Sequence, residues 1–155
     1  MRNAYRVLAY LLAVEVVVQA MAIAYAIAGL GHWVEEDNGV LNKQVIDSDS
    51  PDFPGVGGFA THGINGTMII PIIIILLLIV SFFAKIPGGV RMAAILFGLV
   101  ALQVFLGIFS HSIPFVIVLH VLNAFAIFSF AAMSFVRLGK LPADATAPAQ
   151  ASVAV

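Results

Sequence analysis

Apolar residues run through this chain in long blocks without the alternation of a strand, and the polar positions gather between them. No charged residue lies between Asp52 and Lys85 or between Arg91 and Arg137, and only Glu15 interrupts the stretch from Arg6 to Glu35. A bilayer core about 30 Å thick takes roughly 20 helical residues per crossing, so the gap after Arg91 is long enough for two crossings joined by a turn. The pattern predicts four spans over residues 5–29, 59–84, 90–110 and 114–136, with an outer loop over 31–58. The first apolar run is longer than the roughly 7–15 residues of a signal-peptide core, so it is expected to be retained. Pro114 suits the first turn of span 4. Pro71, inside span 2, removes a backbone donor and is expected to kink that helix, which a membrane bundle can absorb. The run PIIIILLLIV is too long and too uniformly apolar for a barrel strand. The expected fold class is all-α: a polytopic four-helix bundle, up-down-up-down, forming one membrane domain over 1–140. The Ala/Pro-biased tail, 141–155, is expected to be disordered.

Composition sharpens this. Of 155 residues, 62% are hydrophobic and 10% charged, and the mean hydropathy is +1.10. Soluble domains carry roughly 25% charged residues, so a water-soluble globule is excluded. Four spans consume most of the chain and leave no soluble catalytic domain. The absence of cysteine excludes disulfides, iron–sulfur clusters, thiolate zinc sites and thiol nucleophiles. A net charge of −1 conceals an asymmetry: Arg2, Arg6, Lys85, Arg91, Arg137 and Lys140 flank one set of span ends, whereas Glu35, Glu36, Asp37, Asp47, Asp49 and Asp52 share the loop between spans 1 and 2. Basic residues near span ends stay cytoplasmic, which places both termini inside and the acidic loop outside a cell membrane.

The few polar residues inside the spans repeat. VVVQAMAIAYAIAG precedes HGING, and VALQVFLGIFS precedes HVLNA, so both halves carry Gln followed by His-x-x-Asn and a small residue. The members are Gln19, His62, Asn65 and Gly66 in one copy and Gln103, His120, Asn123 and Ala124 in the other. Two parallel helix-pair repeats about an axis along the membrane normal would set His62 and His120 facing one another across the bundle. Two facing imidazoles from opposite helices, without thiolates, are how a b-type haem is held. Gly66 and Ala124 lie four residues after each His, where a flat macrocycle needs room. Asn65 and Asn123 share that face and could orient an imidazole, hold a propionate or water, or bond to Gln19 and Gln103. The intervals from His62 to Lys85 and from His120 to Arg137 differ. Either span 4 continues towards Lys140 or the two imidazoles differ in depth. His111 is an axial alternative, a propionate partner or an interfacial residue, and His32 is expected to be solvated. Zinc or copper is the main metal alternative, without cysteine or a tight His-x-x-x-His spacing to support it. Burying Glu15 costs about 2.5–3.5 kcal/mol on insertion scales, so it is expected to be neutral, paired with Gln19, or wet, as helix glue or a proton relay.

These residues resemble one half of the heme A synthase family, whose members are two fused four-helix halves with haem-ligating His on the second and fourth helices of each. The likeness rests on LQVFLGIF and LHVLNAF in spans 3 and 4 and implies axial positions for His62 and His120. HGING and LHVLNAF are also similar to an uncharacterised group of small bacterial four-span proteins. Phe59 stands where the synthases place a Glu three residues before the His of their catalytic half, so the resemblance implies haem binding more than haem hydroxylation.

The expectation is a membrane haem b protein rather than an enzyme, in electron transfer, haem sensing or a respiratory accessory role. Its partners would be the lipid bilayer and a quinone, a periplasmic protein or a respiratory complex; a homo-oligomer is open and no nucleic acid is expected. The rivals are a cofactor-free accessory subunit, in which the polar pairs only lock helices, and a small-solute or proton pathway using Glu15, Gln19, Gln103 and Asn123.

Overall fold

The structure, a computed structural model, describes residues 1–48 and 52–139. Among the described residues all regular structure is helical: α1 (Arg2–Glu35), a short α2 (Lys43–Ile46), α3 (Val56–Ile64), a π-helical turn (Asn65–Ile69), α4 (Ile70–Phe83), α5 (Gly89–Ser110) and α6 (Val116–Gly139). Four stretches are long and apolar enough to cross a membrane: Arg2–Glu35, Val56–Phe83, Gly89–Ser110 and Val116–Val136. The tail at 141–155, Lys140 and Asp49 lie outside the described residues.

The first helix extends beyond the expected 5–29 because Gly29 and Gly31 do not end it. Gly29 is buried where the chain returns, and a Cβ there would overlap the Pro54 carbonyl. Trp33 stacks on Phe53 with ring centroids 5.6 Å apart. The last turn of α1 thus becomes the surface on which the end of the outer loop is laid. At Pro71 the backbone disturbance takes the form of the π turn just before it. Proline has no N–H and its ring crowds the carbonyl four residues back, and a wider turn relieves that conflict.

α1 packs on α3, α4 and α6, and α5 packs on α4 and α6. The core is a narrow stripe from each helix, including Leu12, Ile74, Leu77, Leu96 and Ile127, together with Ala9, Ala93 and Ala131. Large apolar side chains such as Met21, Phe82, Phe105 and Phe125 point outward. Such an exterior suits a solvent as apolar as the protein. In that solvent helices gain little from hiding hydrocarbon and associate through close packing and hydrogen bonds. Both are visible. At one end the buried Tyr5 hydroxyl donates to the Gly89 carbonyl at 3.2 Å, tying the start of α1 to the start of α5. At the other, Gly58 lies so close to α1 that a Cβ would overlap the Ala22 carbonyl and come 3.0 Å from the Ala26 side chain.

The contacts between α1 and α3 form a ladder whose lower rungs are polar. Gly29 meets Pro54 and Gly55, Ala26 and Ala22 meet Gly58, Gln19 meets His62, and Glu15 meets Asn65. Small residues at the upper rungs fix the helix separation at which the polar side chains below reach across. Gly58→Leu is expected to lower the thermal midpoint in detergent, at a cost of about 1–3 kcal/mol from overpacking. Gly57→Ala, whose new Cβ would meet nothing within 4 Å, is expected to leave the midpoint unchanged or raise it. Circular dichroism melting of the two variants checks the pair.

Candidate functional site: a pair of facing histidines

Towards the end of the bundle at which α3 and α6 begin, the end expected to lie in the outer leaflet, the same contact is made twice. The Nδ1–H of His62, on α3, donates to the main-chain carbonyl of Gln19, on α1, at 3.2 Å. The Nδ1–H of His120, on α6, donates to the main-chain carbonyl of Gln103, on α5, at 3.1 Å. A carbonyl only accepts, so each ring must carry its proton on Nδ1, which leaves the Nε2 lone pair free. Metal-binding histidines are commonly fixed in this way, with the second nitrogen donating to a carbonyl or carboxylate.

The two rings face one another with centroids 6.2 Å apart and planes inclined at 54°. Metal–imidazole bonds of about 2.0–2.1 Å would put the centroids of two rings on opposite sides of one ion about 6.3 Å apart. Both rings are half-buried. Among the described residues no group of three or more His, Cys, Asp or Glu forms a cage for a metal ion. The pair therefore offers two nitrogen ligands and no more. α6 continues without a break through Gly139, as the first of the two readings of the unequal intervals expects.

The other expected residues divide. Asn123, 8% exposed, donates to Gln103 Oε1 at 2.7 Å and to the Leu99 carbonyl at 2.8 Å. Asn65, 9% exposed, does not bond to Gln19; it donates to Glu15 Oε2 at 2.6 Å. The expected Glu15–Gln19 pair is thereby replaced by Glu15–Asn65, since a carboxylate is a stronger acceptor than an amide. Both polar atoms of the Gln19 amide, and Asn65 Oδ1, are buried without a partner among the described residues. Gly66 faces the Gln19 amide: a Cβ there would stand 3.4 Å from Gln19 Nε2, an ordinary contact. Ala124 is half-buried on the face of His120. His111 is exposed at the end of α5, where its backbone caps the helix, and it does not join the pair. His32 is exposed at the end of α1.

Gly107 belongs to the site without having been singled out. A Cβ there would come 3.2 Å from His120 Cε1 and 3.3 Å from Nδ1, so the glycine seats the ring against α5. Its signal was present in the Gln-x-x-Leu-Gly stretch around Gln103.

Residues 52–111 match a family of unknown function (DUF6220). The matched segment holds His62, Asn65 and Gln103 and excludes Glu15, Gln19 and His120. No curated protein and no solved structure matches the chain.

Asn123→Leu leaves the Gln103 amide without its donor in an apolar surrounding. It is expected to cost about 0.6–1.7 kcal/mol in a denaturation titration of the detergent-solubilised protein. Replacing Gln103 by Leu as well is expected to recover part of that loss, because the orphaned acceptor is gone.

Proposed function

We propose that the protein is an integral membrane haem b protein in which His62 and His120 are the two axial ligands. The observation that carries this is the pair of imidazoles, each fixed through Nδ1–H to a helix carbonyl and left with a free Nε2, at a centroid separation of 6.2 Å. The donor set fits the group. Two neutral imidazoles from opposite helices, with no thiolate and no carboxylate cage, suit a low-spin haem and suit a tetrahedral zinc site poorly. Bound there, the group supplies one-electron chemistry between ferric and ferrous iron.

The chain's own part is to hold the rings. Gln19 and Gln103 orient the imidazoles through their main-chain carbonyls, and donation from Nδ1–H raises the basicity of Nε2. Asn123 locks α5 to α6 beside His120, and Gly107 sets the depth of that ring. Held by His62 and His120 together, the group would supply one-electron transfer, so the role proposed is electron transfer, with a quinone, a periplasmic protein or a respiratory complex as partner. The resemblance to one half of the heme A synthase family supports the same ligand pair. Within this proposal the four spans run up-down-up-down as two parallel repeats, with both termini in the cytoplasm and the acidic loop outside the plasma membrane. The duplicated His-to-Gln bonds and the six basic residues on one side support that arrangement.

A cofactor-free accessory subunit is the competing reading, favoured by the second copy, where Asn123 bonds directly to Gln103 and to the Leu99 carbonyl and so joins α5 to α6 by itself. Absorption spectra separate the two. After expression with sufficient haem, the purified protein is expected to show a Soret band and a split α band on reduction. His62→Ala and His120→Ala are each expected to abolish the bis-imidazole spectrum, and His111→Ala to leave it intact. A colourless protein that copurifies with a larger membrane complex would overturn the proposal.

A further inference from the structure

Where α1 and α6 pack together, one stretch of their seam opens outward. Tyr10, Ala13 and Val17 of α1 and Phe128, Ala132 and Phe135 of α6 line a groove of about 210 Å³ there. Successive members on each helix are three or four residues apart, so each helix gives one face to the groove. An alanine in the middle of each face recesses the seam between larger side chains on either side.

One end of the groove carries a charge. Arg6 lies four residues before Tyr10 and extends the same face of α1. Its guanidinium stands 4.8 Å from the centre of the Phe135 ring, and that ring also meets Tyr10, with centroids 5.3 Å apart. A ring face holds a cation in place but does not neutralise it. The chain supplies little that could. No acidic residue precedes Glu15 or lies between Asp52 and Asp144. Glu15 is engaged by Asn65 on α3, and among the described residues the ion pair is Lys43 with Asp47, in the outer loop. Arg6 is exposed and keeps a fork of N–H donors suited to an anionic oxygen pair.

Dimensions and charge together select an occupant. From Arg6 to Val17 the helix rises about 16 Å, and one leaflet of a bilayer core about 30 Å thick is about 15 Å deep. The groove is therefore one leaflet long, apolar along its length and cationic at its mouth, which is the shape and polarity of one anionic lipid. Guanidinium binds phosphate through two parallel N–H···O bonds. A quinone head would bring Arg6 only neutral carbonyls. It would also sit fifteen residues of α6, about 22 Å, from His120. A helix of a second copy would need small residues along the contact to approach closely. Here the rings of Tyr10, Phe128 and Phe135 keep a second backbone away and leave room for a narrower hydrocarbon chain.

Resting on the reading that the four long helices span a bilayer, and not on haem, we propose that the groove between α1 and α6 binds an anionic phospholipid of the leaflet in which α1 begins. Arg6 takes the phosphate, and one acyl chain lies along the groove between Ala13 and Ala132.

Native mass spectrometry of the full chain, released from detergent micelles carrying either phosphatidylglycerol or phosphatidylcholine with matched acyl chains, tests this. The wild type is expected to retain one phosphatidylglycerol per chain and to bind phosphatidylcholine roughly fivefold more weakly, the effect of one basic contact at a membrane surface. Arg6→Gln is expected to weaken phosphatidylglycerol binding by a similar factor and to erase the preference. Arg91 is an exposed cation at the same end of the bundle, two residues after the Gly89 carbonyl to which Tyr5 donates; Arg91→Gln is expected to leave the preference intact. Ala132→Phe fills the groove and is expected to abolish retention of both lipids. Should that variant fail to accumulate, Val17→Trp, at an exposed position on the rim, is expected to do the same. Equal retention of the two lipids by the wild type, or an unchanged preference in Arg6→Gln, would overturn the lipid site and leave the membrane reading standing. A dimer that forms without lipid and dissociates in Ala132→Phe would overturn it in favour of a second copy. Release of the expressed chain from membranes by alkaline carbonate would overturn the membrane reading, and the lipid site with it.

Discussion

In hydrocarbon a polar group has no water to fall back on, and every donor and acceptor placed there has to be answered from within the protein. The bundle is organised around this constraint. Its hydroxyls are turned onto helix carbonyls: Ser81 onto Leu78, Ser134 onto Phe130, and Tyr5 across to Gly89. Where side chains carry more polar atoms than one carbonyl can answer, two helices are brought together to share them, and that is where Gln19, Gln103, the two asparagines and the two facing histidines sit. The close approach of Gly58 and Gly29 to their neighbours sets the spacing that makes such sharing possible on the α1 side. Gly107 does so for His120.

The same constraint separates the parts of the site by role. Asn123 donates to both the Gln103 side chain and the Leu99 carbonyl, which makes it a lock between α5 and α6. The histidines are answered on one nitrogen only. Under the proposed function the second nitrogen of each ring is the one that would hold the group, with the ring centroids 6.2 Å apart. The Gln19 amide has no partner among the described residues. These groups distinguish this part of the bundle from ordinary helix packing, and they lie next to one another.

Much of the architecture was legible from the order of residues. The uncharged gaps marked the four long helices because a charge in the bilayer core is costly enough to be avoided. The recurrence of His-x-x-Asn after Gln brought forward the residues that meet, because the same spacing on the same kind of helix puts them on the same face. What could not be read was anything carried by the main chain. The histidines are held by the carbonyls of Gln19 and Gln103, and any residue type there would offer the same oxygen. The glutamines drew notice for their side chains, of which one bonds to Asn123 and the other to nothing described. The π turn at Asn65–Ile69 and the extension of α1 to Glu35 were likewise invisible, since each is settled by contacts across the fold: a proline ring against its own helix, and Trp33 against Phe53. The exchange of partners that gives Asn65 to Glu15 follows from one residue difference between otherwise similar halves, and similarity concealed it.

The central claim is that His62 and His120 share one iron. Electron paramagnetic resonance of the oxidised, haem-loaded protein addresses it most directly, because the spin state reports how many strong axial ligands the iron has. A low-spin ferric signal in the wild type, converted to high spin when either His62 or His120 is replaced by alanine, is the expected result. A high-spin signal in the wild type, or a low-spin signal that survives the loss of either histidine, would contradict it.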